Sequence, residues 1–275
     1  MFSYKKVSIC VVFALDNQEY LFTNLIKGLV FPILMKHPLY FTDCYLKEFT
    51  SKISSVKDEK YIVLEDTAFY PTGGGQPYDT GKLIRTRDNK EFLVVSVSKF
   101  NGIISHEIKS CEDLKEGDEV KGIIDWNRRY RLMRMHTAAH ILNYVFLKDD
   151  TTIKTTGNQL EEDKSRIDFR FPPDFDKATL PQYEKEANEI IQKETPIHIK
   201  ILPREKALTD PAMIKLAKGF DENIKEVRLL EISGYDIQPC GGTHLHNCKE
   251  IGHITFLKFD NRGAGNKRLY FTVDD

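Results

Sequence analysis

Between residues 61 and 125 β-prone, largely apolar residues gather in four short runs, at 61–64, 92–97, 103–108 and 120–124, separated by polar and turn-forming residues. Short runs rich in β-branched and aromatic residues and bounded by turn signals predict strands. Asp88-Asn89-Lys90, Asn101-Gly102 and Glu116-Gly117-Asp118 supply turns around these runs, so this region predicts a small β-barrel. At Trp126 the character changes. Leu132, Met135, Ala139, Leu142 and Phe146 recur at helical intervals across 128–147, and a second helix is predicted from about 175 to 193, with Tyr183, Ala187, Ile190 and Ile191 inward. Strand patterns at 166–171, 197–202, 227–232, 254–260 and 269–273 then predict a largely antiparallel sheet packed on those helices. The expected fold class is α+β: a small N-terminal β-barrel followed by a two-layer sandwich of mostly antiparallel sheet and helices. It divides into an extension at 1–36, a barrel domain at 37–125 and a second domain at 126–275.

A chain of 275 residues with 41% hydrophobic content can bury two such cores. Its 40 Lys and Arg nearly cancel 41 Asp and Glu, for a formal net charge of −1. That excludes a globally basic nucleic-acid binder, so any RNA contact must come from a local basic surface. Cys10, Cys44, Cys111, Cys240 and Cys248 are odd in number and irregular in spacing, which points to a reducing cytoplasm rather than a disulfide framework. Cys10, Cys44 and Cys111 read as small buried hydrophobes. Apolar stretches at 7–15 and 25–35 are too short to span a bilayer. The first runs straight into Asp16-Asn17-Gln18-Glu19 without a small-residue cleavage site, so no membrane anchor is expected.

The chemistry concentrates in two histidine motifs. His136 and His140 lie four apart on the predicted helix, which places them on one face with Cβ atoms about 5–6 Å apart. Far downstream, Cys240-Gly-Gly-Thr-His244 follows Pro239, a composition that favours a tight turn. Two histidines on a helix face are more often ordinary residues than ligands, and a cysteine after a turn can be a small buried residue. Together the pairs offer one thiolate and three imidazoles, a donor set suited to Zn2+. The helix has no glutamate after its first histidine, which argues against a zinc peptidase. His106, His198 and His253 read as structural, and His246 and Cys248 as neighbours of the turn.

Five ordered motifs carry a resemblance: Tyr45-Leu-Lys-Glu-Phe, Phe69-Tyr-Pro-Thr-Gly-Gly-Gly-Gln-Pro, the stretch from Asp125-Trp-Asn-Arg-Arg to His140, Gly157-Asn-Gln-Leu-Glu-Glu-Asp-Lys-Ser-Arg-Ile-Asp-Phe, and Pro239-Cys-Gly-Gly-Thr-His. From Leu39 onward the chain resembles the AlaX family, free-standing relatives of the alanyl-tRNA synthetase editing domain. The Gly-rich stretch and the stop soon after Asn266-Lys-Arg-Leu-Tyr resemble its medium-length class. Residues before about Met35 have no counterpart there. The resemblance implies a deacylase acting on tRNA(Ala) that carries a wrong amino acid. It also implies a zinc site at His136, His140, Cys240 and His244, and a hydroxyl-sensing residue where Thr155 and Thr156 stand.

An aminoacyl ester is labile, so the catalyst mainly has to place water and stabilise the oxyanion. A zinc ion with an open position could act directly; one with four protein ligands would chiefly organise the pocket. Serine exceeds alanine by one hydroxyl, and a site that hydrogen-bonds this hydroxyl is left unpaired by alanine. The expected substrate is therefore Ser-tRNA(Ala), with Gly-tRNA(Ala) as a second candidate, and Thr155, Thr156 and Gln159 are the expected selection residues. Arg166, Asp168 and Arg170 share one strand face beside Gln159, either near the substrate or as a solvated ladder. Gly73, Gly74, Gly75 and Gln76 form a loop open to the tRNA acceptor end; without a following Gly-Lys-Ser/Thr it is not a P-loop. Arg128, Arg129, Arg131 and Arg134 form an expected phosphate track, with Lys258, Arg262, Lys267 and Arg268 as a second patch. The alternatives are editing of another, threonyl-type tRNA, and a non-catalytic zinc-stabilised module that binds tRNA.

Overall fold

The computed structural model describes residues 37–274 apart from 151, 208 and 210–224, together with the backbone at 12–13, 21–26 and 29–34. It divides into two compact units, Met1–Pro38 and Leu39–Asp275. In the first, β1 (Val12–Phe13), β2 (Leu21–Ile26) and β3 (Leu29–Leu34) pair in that order as an antiparallel sheet. Most of the apolar stretch at 7–15, and Cys10 with it, lies outside the described residues. Among the described residues no helix is long and apolar enough to cross a membrane.

The second unit opens on a single helical turn, α1 (Leu39–Thr42), which leads into β4 (Glu48–Lys57), β5 (Tyr61–Leu64), β6 (Gly81–Arg85), β7 (Glu91–Phe100), β8 (Ile103–Ile108) and β9 (Glu119–Ile124). These six strands close into a barrel in the order β4-β5-β8-β7-β6-β9, which removes the exposed edges an open sheet would carry. Phe49, Ile53, Ile62, Leu83, Val97, Ile108 and Val120 fill its core. Strands β4 and β6 join the four runs expected from the sequence. On β4 the inward series Phe49-Ser51-Ile53 contains a polar member, which weakens the alternation there. His106 is also buried in this barrel; its Nδ1–H donates to the Ile62 carbonyl at 3.0 Å, and its Nε2 lies 2.8 Å from the Thr67 hydroxyl.

Asp125 caps the long helix α2 (Trp126–Leu147) by accepting from the Arg128 amide at 3.3 Å, so the helix starts two residues ahead of its apolar pattern. The chain continues through β10 (Lys154–Gln159), β11 (Ser165–Arg170), α3 (Leu180–Gln192), β12 (Ile197–Pro203), the short α4 (Arg204–Ala207), β13 (Glu226–Ile232), β14 (Asp236–Pro239), β15 (Ile254–Asn261) and β16 (Asn266–Val273). One antiparallel sheet runs β10-β11-β16-β15 and another β12-β13-β14. Helix α3 is shorter than its pattern: Pro181 sits in its first turn, and a 3-10 turn at Lys177–Thr179 precedes it. Ala187, Ile190 and Ile191 are buried, and Tyr183 stacks on Phe146 of α2 at 4.4 Å between ring centroids. The described residues thus form an α+β fold, and the barrel core gives way to a second apolar cluster around Phe146, Phe169 and Phe271 once the chain enters α2.

Helix α2 is buried on nearly every side, charged positions included. The Arg129 guanidinium is fully buried against the Asp79 carboxylate and also donates to the carbonyls of Cys44 and Ala68. Asp79 in turn accepts from the Tyr70 amide. This ion pair bolts the helix that carries both histidines to the barrel.

Candidate metal centre

One helical turn separates His136 from His140, and their rings lie 5.3 Å apart on the same face of α2. Strand β14 hydrogen-bonds to β13 and delivers the chain to Cys240, whose amide donates to the Arg228 carbonyl at 3.0 Å. The Gly241-Gly242-Thr243 turn then brings His244 back to the helix. The Cys240 Sγ lies 3.5 Å from His136 Nε2 and 3.1 Å from His244 Nε2. The four ligand-type atoms of His136, His140, Cys240 and His244 all fall within 4.8 Å of one another. Only glycine fits at 242, because a Cβ there would overlap the His136 ring.

A buried amide orients the site. Gln76, at the end of the Gly-rich loop, is fully buried, and its Oε1 accepts from His136 Nδ1–H at 2.8 Å and from the Thr243 amide at 3.0 Å. Its Nε2 donates to the Thr243 hydroxyl at 2.8 Å. With Nδ1 holding the proton, the His136 Nε2 lone pair faces Cys240. Burial, with the neighbouring His140 second, pushes the His136 pKa well below its ordinary value; burial and His136 do the same to His244. Burial also lowers His140 to about 4, with the neighbouring Gln238 side chain opposing, and raises the Cys240 thiol to about 11. The imidazoles are therefore neutral, as a ligand must be, and the thiol is the group whose ionisation a cation would drive. His140 Nδ1 is buried without a hydrogen-bond partner. An orphaned nitrogen among neutral imidazoles and a thiol is a donor set that fits a metal ion.

Comparison with known proteins gives this cluster a context. A family profile described as tRNA synthetases class II (A) matches residues 41–128, and one described as threonyl and alanyl tRNA synthetase second additional domain matches residues 227–270. The alanyl-tRNA editing protein AlaX-M of Methanosarcina acetivorans is 51% identical over 247 residues, covering 88% of this chain and 100% of that protein. The chain belongs to the AlaX-M family of alanyl-tRNA editing proteins. The family member from Saccharolobus solfataricus is 41% identical over 239 residues, covering 87% of this chain and 99% of its own. An alanine–tRNA ligase of Pyrobaculum aerophilum is 39% identical over 243 residues that make up 26% of that longer enzyme.

Other residues singled out in the sequence fall differently. Thr155 faces α2 and donates to Asn143 Oδ1 at 2.8 Å, one turn beyond His140. Thr156 occupies a bulge, where the pairing jumps from Thr155↔Phe169 to Gly157↔Asp168, and its exposed side chain donates to the Asp168 carbonyl at 3.2 Å. That extra residue shifts the alternation, so Gln159 pairs with Arg166 on the outer face. There Gln159 donates to Glu161 and accepts from Arg166, away from the histidines. Thr156 and Gln159 thus lie on the outer face of the sheet, beside a ladder of Arg166, Asp168 and Arg268.

The arginines expected as a phosphate track are engaged to different degrees within the protein. Arg129 is held by Asp79, and the buried Arg134 donates to the Ile251 carbonyl at 2.9 and 3.1 Å, so neither guanidinium is presented to solvent phosphate. Arg128 and Arg131 are partly exposed, the first paired with Glu162 and the second donating to the Glu162 carbonyl at 2.7 Å. Gln76 belongs to the histidine cluster rather than to an open RNA surface. Gly74 remains exposed, while Gly75 packs so closely on Asn158 of β10 that a Cβ would collide with it. Gln76, Gly242, Thr137 and Asn143 were not legible as supports of the cluster. The only sequence signal for any of them was proximity to a Gly-rich or histidine motif.

Proposed function

We propose that the protein is a trans-editing hydrolase that deacylates mischarged tRNA(Ala), with Ser-tRNA(Ala) as its principal substrate and Gly-tRNA(Ala) as a second candidate. We propose further that His136, His140, Cys240 and His244 hold Zn2+. The observation that carries this reading is the convergence of those four side chains in a chain that aligns with whole alanyl-tRNA editing proteins. Bound there, the metal supplies fixed positive charge for placing the aminoacyl ester. Gln76 and the Gly242 turn hold His136 in the required tautomer and orientation. Thr137 fixes the His244 loop by accepting from the Leu245 amide at 3.2 Å.

Of the two threonines, Thr155 is the proposed hydroxyl sensor, because its own hydroxyl stands with Asn143 on the α2 side of β10. A seryl hydroxyl can join that pair, whereas alanine leaves it without a partner. Arg128, Arg131 and the Gly73–Gly75 backbone are the proposed contacts for the acceptor end. Hydrolysis of Ser-, Gly- and Ala-tRNA(Ala) measured side by side tests the reading. Preferential loss of the seryl ester supports it, and equal inertness of all three overturns it in favour of a binding module.

A further inference from the structure

One carboxylate beside the histidine cluster has no cationic partner. Asp236 opens β14 and shares a strand face with Gln238, two residues on. The Gln238 Nε2 donates to Asp236 Oδ2 at 2.5 Å, and the same side chain lies close enough to His140 to influence its ionisation. Asp236 is half-buried, and burial raises its pKa against only the Ile237 amide and the Gln238 side chain. No lysine, arginine or charged histidine pairs with it among the described residues. The Arg228 guanidinium, on the neighbouring strand, is committed elsewhere, donating to the carbonyls of Phe41 and Cys240 and to Cys44 Sγ. A desolvated carboxylate is stable as an anion when a cation faces it.

Every aminoacyl ester brings such a cation. Its α-ammonium stands one carbon from the carbonyl under attack, so a group that holds the nitrogen also fixes where the carbonyl points. We propose that Asp236 is the recognition group for the α-ammonium of the aminoacyl moiety, aligned by Gln238 beside His140. The proposal rests on the deacylase reading above and extends it. The site then requires a free amino group, and it rejects esters whose nitrogen is acylated, because an amide brings no charge to the carboxylate.

The test compares kcat/KM for Ser-tRNA(Ala) and α-N-acetyl-Ser-tRNA(Ala) in the parent protein and in Asp236→Asn, with metal content and thermal midpoint measured on both proteins. The parent is expected to favour the free amine by roughly ten- to a hundredfold, the range of a charge-assisted hydrogen bond. In Asp236→Asn that ratio should collapse towards one. A ratio that survives unchanged in the variant overturns the proposal, because Asp236 would then support the fold or Gln238 without touching the nitrogen. A parent that shows no preference overturns it equally. If Asp236→Asn does not fold, Asp236→Glu, which keeps the charge and shifts its position, should show a ratio reduced but above one; a parent-like ratio there overturns the proposal. A parent inactive on both esters removes the deacylase reading itself, and this extension with it.

Discussion

Gln76 shows how much of this site depends on a side chain that would never ligate a metal. Replacing it with leucine leaves His136 Nδ1 and the Thr243 amide without their shared acceptor, so metal affinity is expected to fall about 10- to 100-fold in competition with a chelator. Selection is predicted to rest on Thr155. Thr155→Val keeps the volume and removes one hydroxyl, a loss of roughly 0.5–1.5 kcal/mol that narrows the seryl-to-alanyl rate ratio by up to about tenfold. Thr156→Val, on the outer face, should leave the ratio unchanged, and a change there of the same size would count against the assignment. The clustering of His136, His140, Cys240 and His244 was legible because their types and spacing carry the chemistry of a candidate metal site on their own. The facing of Thr156 and Gln159 was not, since a single bulge residue reverses the alternation and no local pattern announces it.

At the scale of elements, the strands and helices with clean periodicity were legible, whereas β4, with an inward serine, and the four-residue β14 were not. The internal partners of the α2 arginines were not legible for a different reason. Sequence reports a cluster of like charges but not the distant carboxylate and carbonyls that absorb them, such as Asp79 for Arg129. Asp79→Asn should leave a buried guanidinium uncompensated and cost about 3–5 kcal/mol in denaturant unfolding, and replacing both partners with apolar residues should cost less than that single change. The barrel also carries a pH dependence. Burial lowers His106 to about 4 from an ordinary 6.5. Its contribution is therefore complete above pH 6.5 and is lost as the pH falls towards 4, because the unfolded chain takes up the proton first. Over that window the loss approaches about 3 kcal/mol, at 1.36 kcal/mol per unit. His106→Gln should remove this part of the slope between pH 7 and pH 4.5 while the histidines at the metal centre titrate as before.

Across the whole molecule, candidate ligands from α2 and from the turn after β14 meet around one point, so an ion bound there would tie together stretches about a hundred residues apart. Cys240→Ala is expected to lower zinc content and thermal midpoint together, by an amount that grows with free metal in the parent and not in the variant. Full zinc occupancy in both Cys240→Ala and His140→Ala would refute the ligand assignment. The same separation has a consequence in time. A ribosome adding roughly 5–20 residues per second needs on the order of 5–20 s to pass from His140 to Cys240. During that interval the helix already carries two exposed imidazoles while the thiol and third imidazole are still unmade. On the proposed assignment, hydrolytic competence switches on late in synthesis, after the barrel domain that supplies Gln76 has had time to close, and a chain stalled before the CGGTH turn is expected to be inert towards charged tRNA.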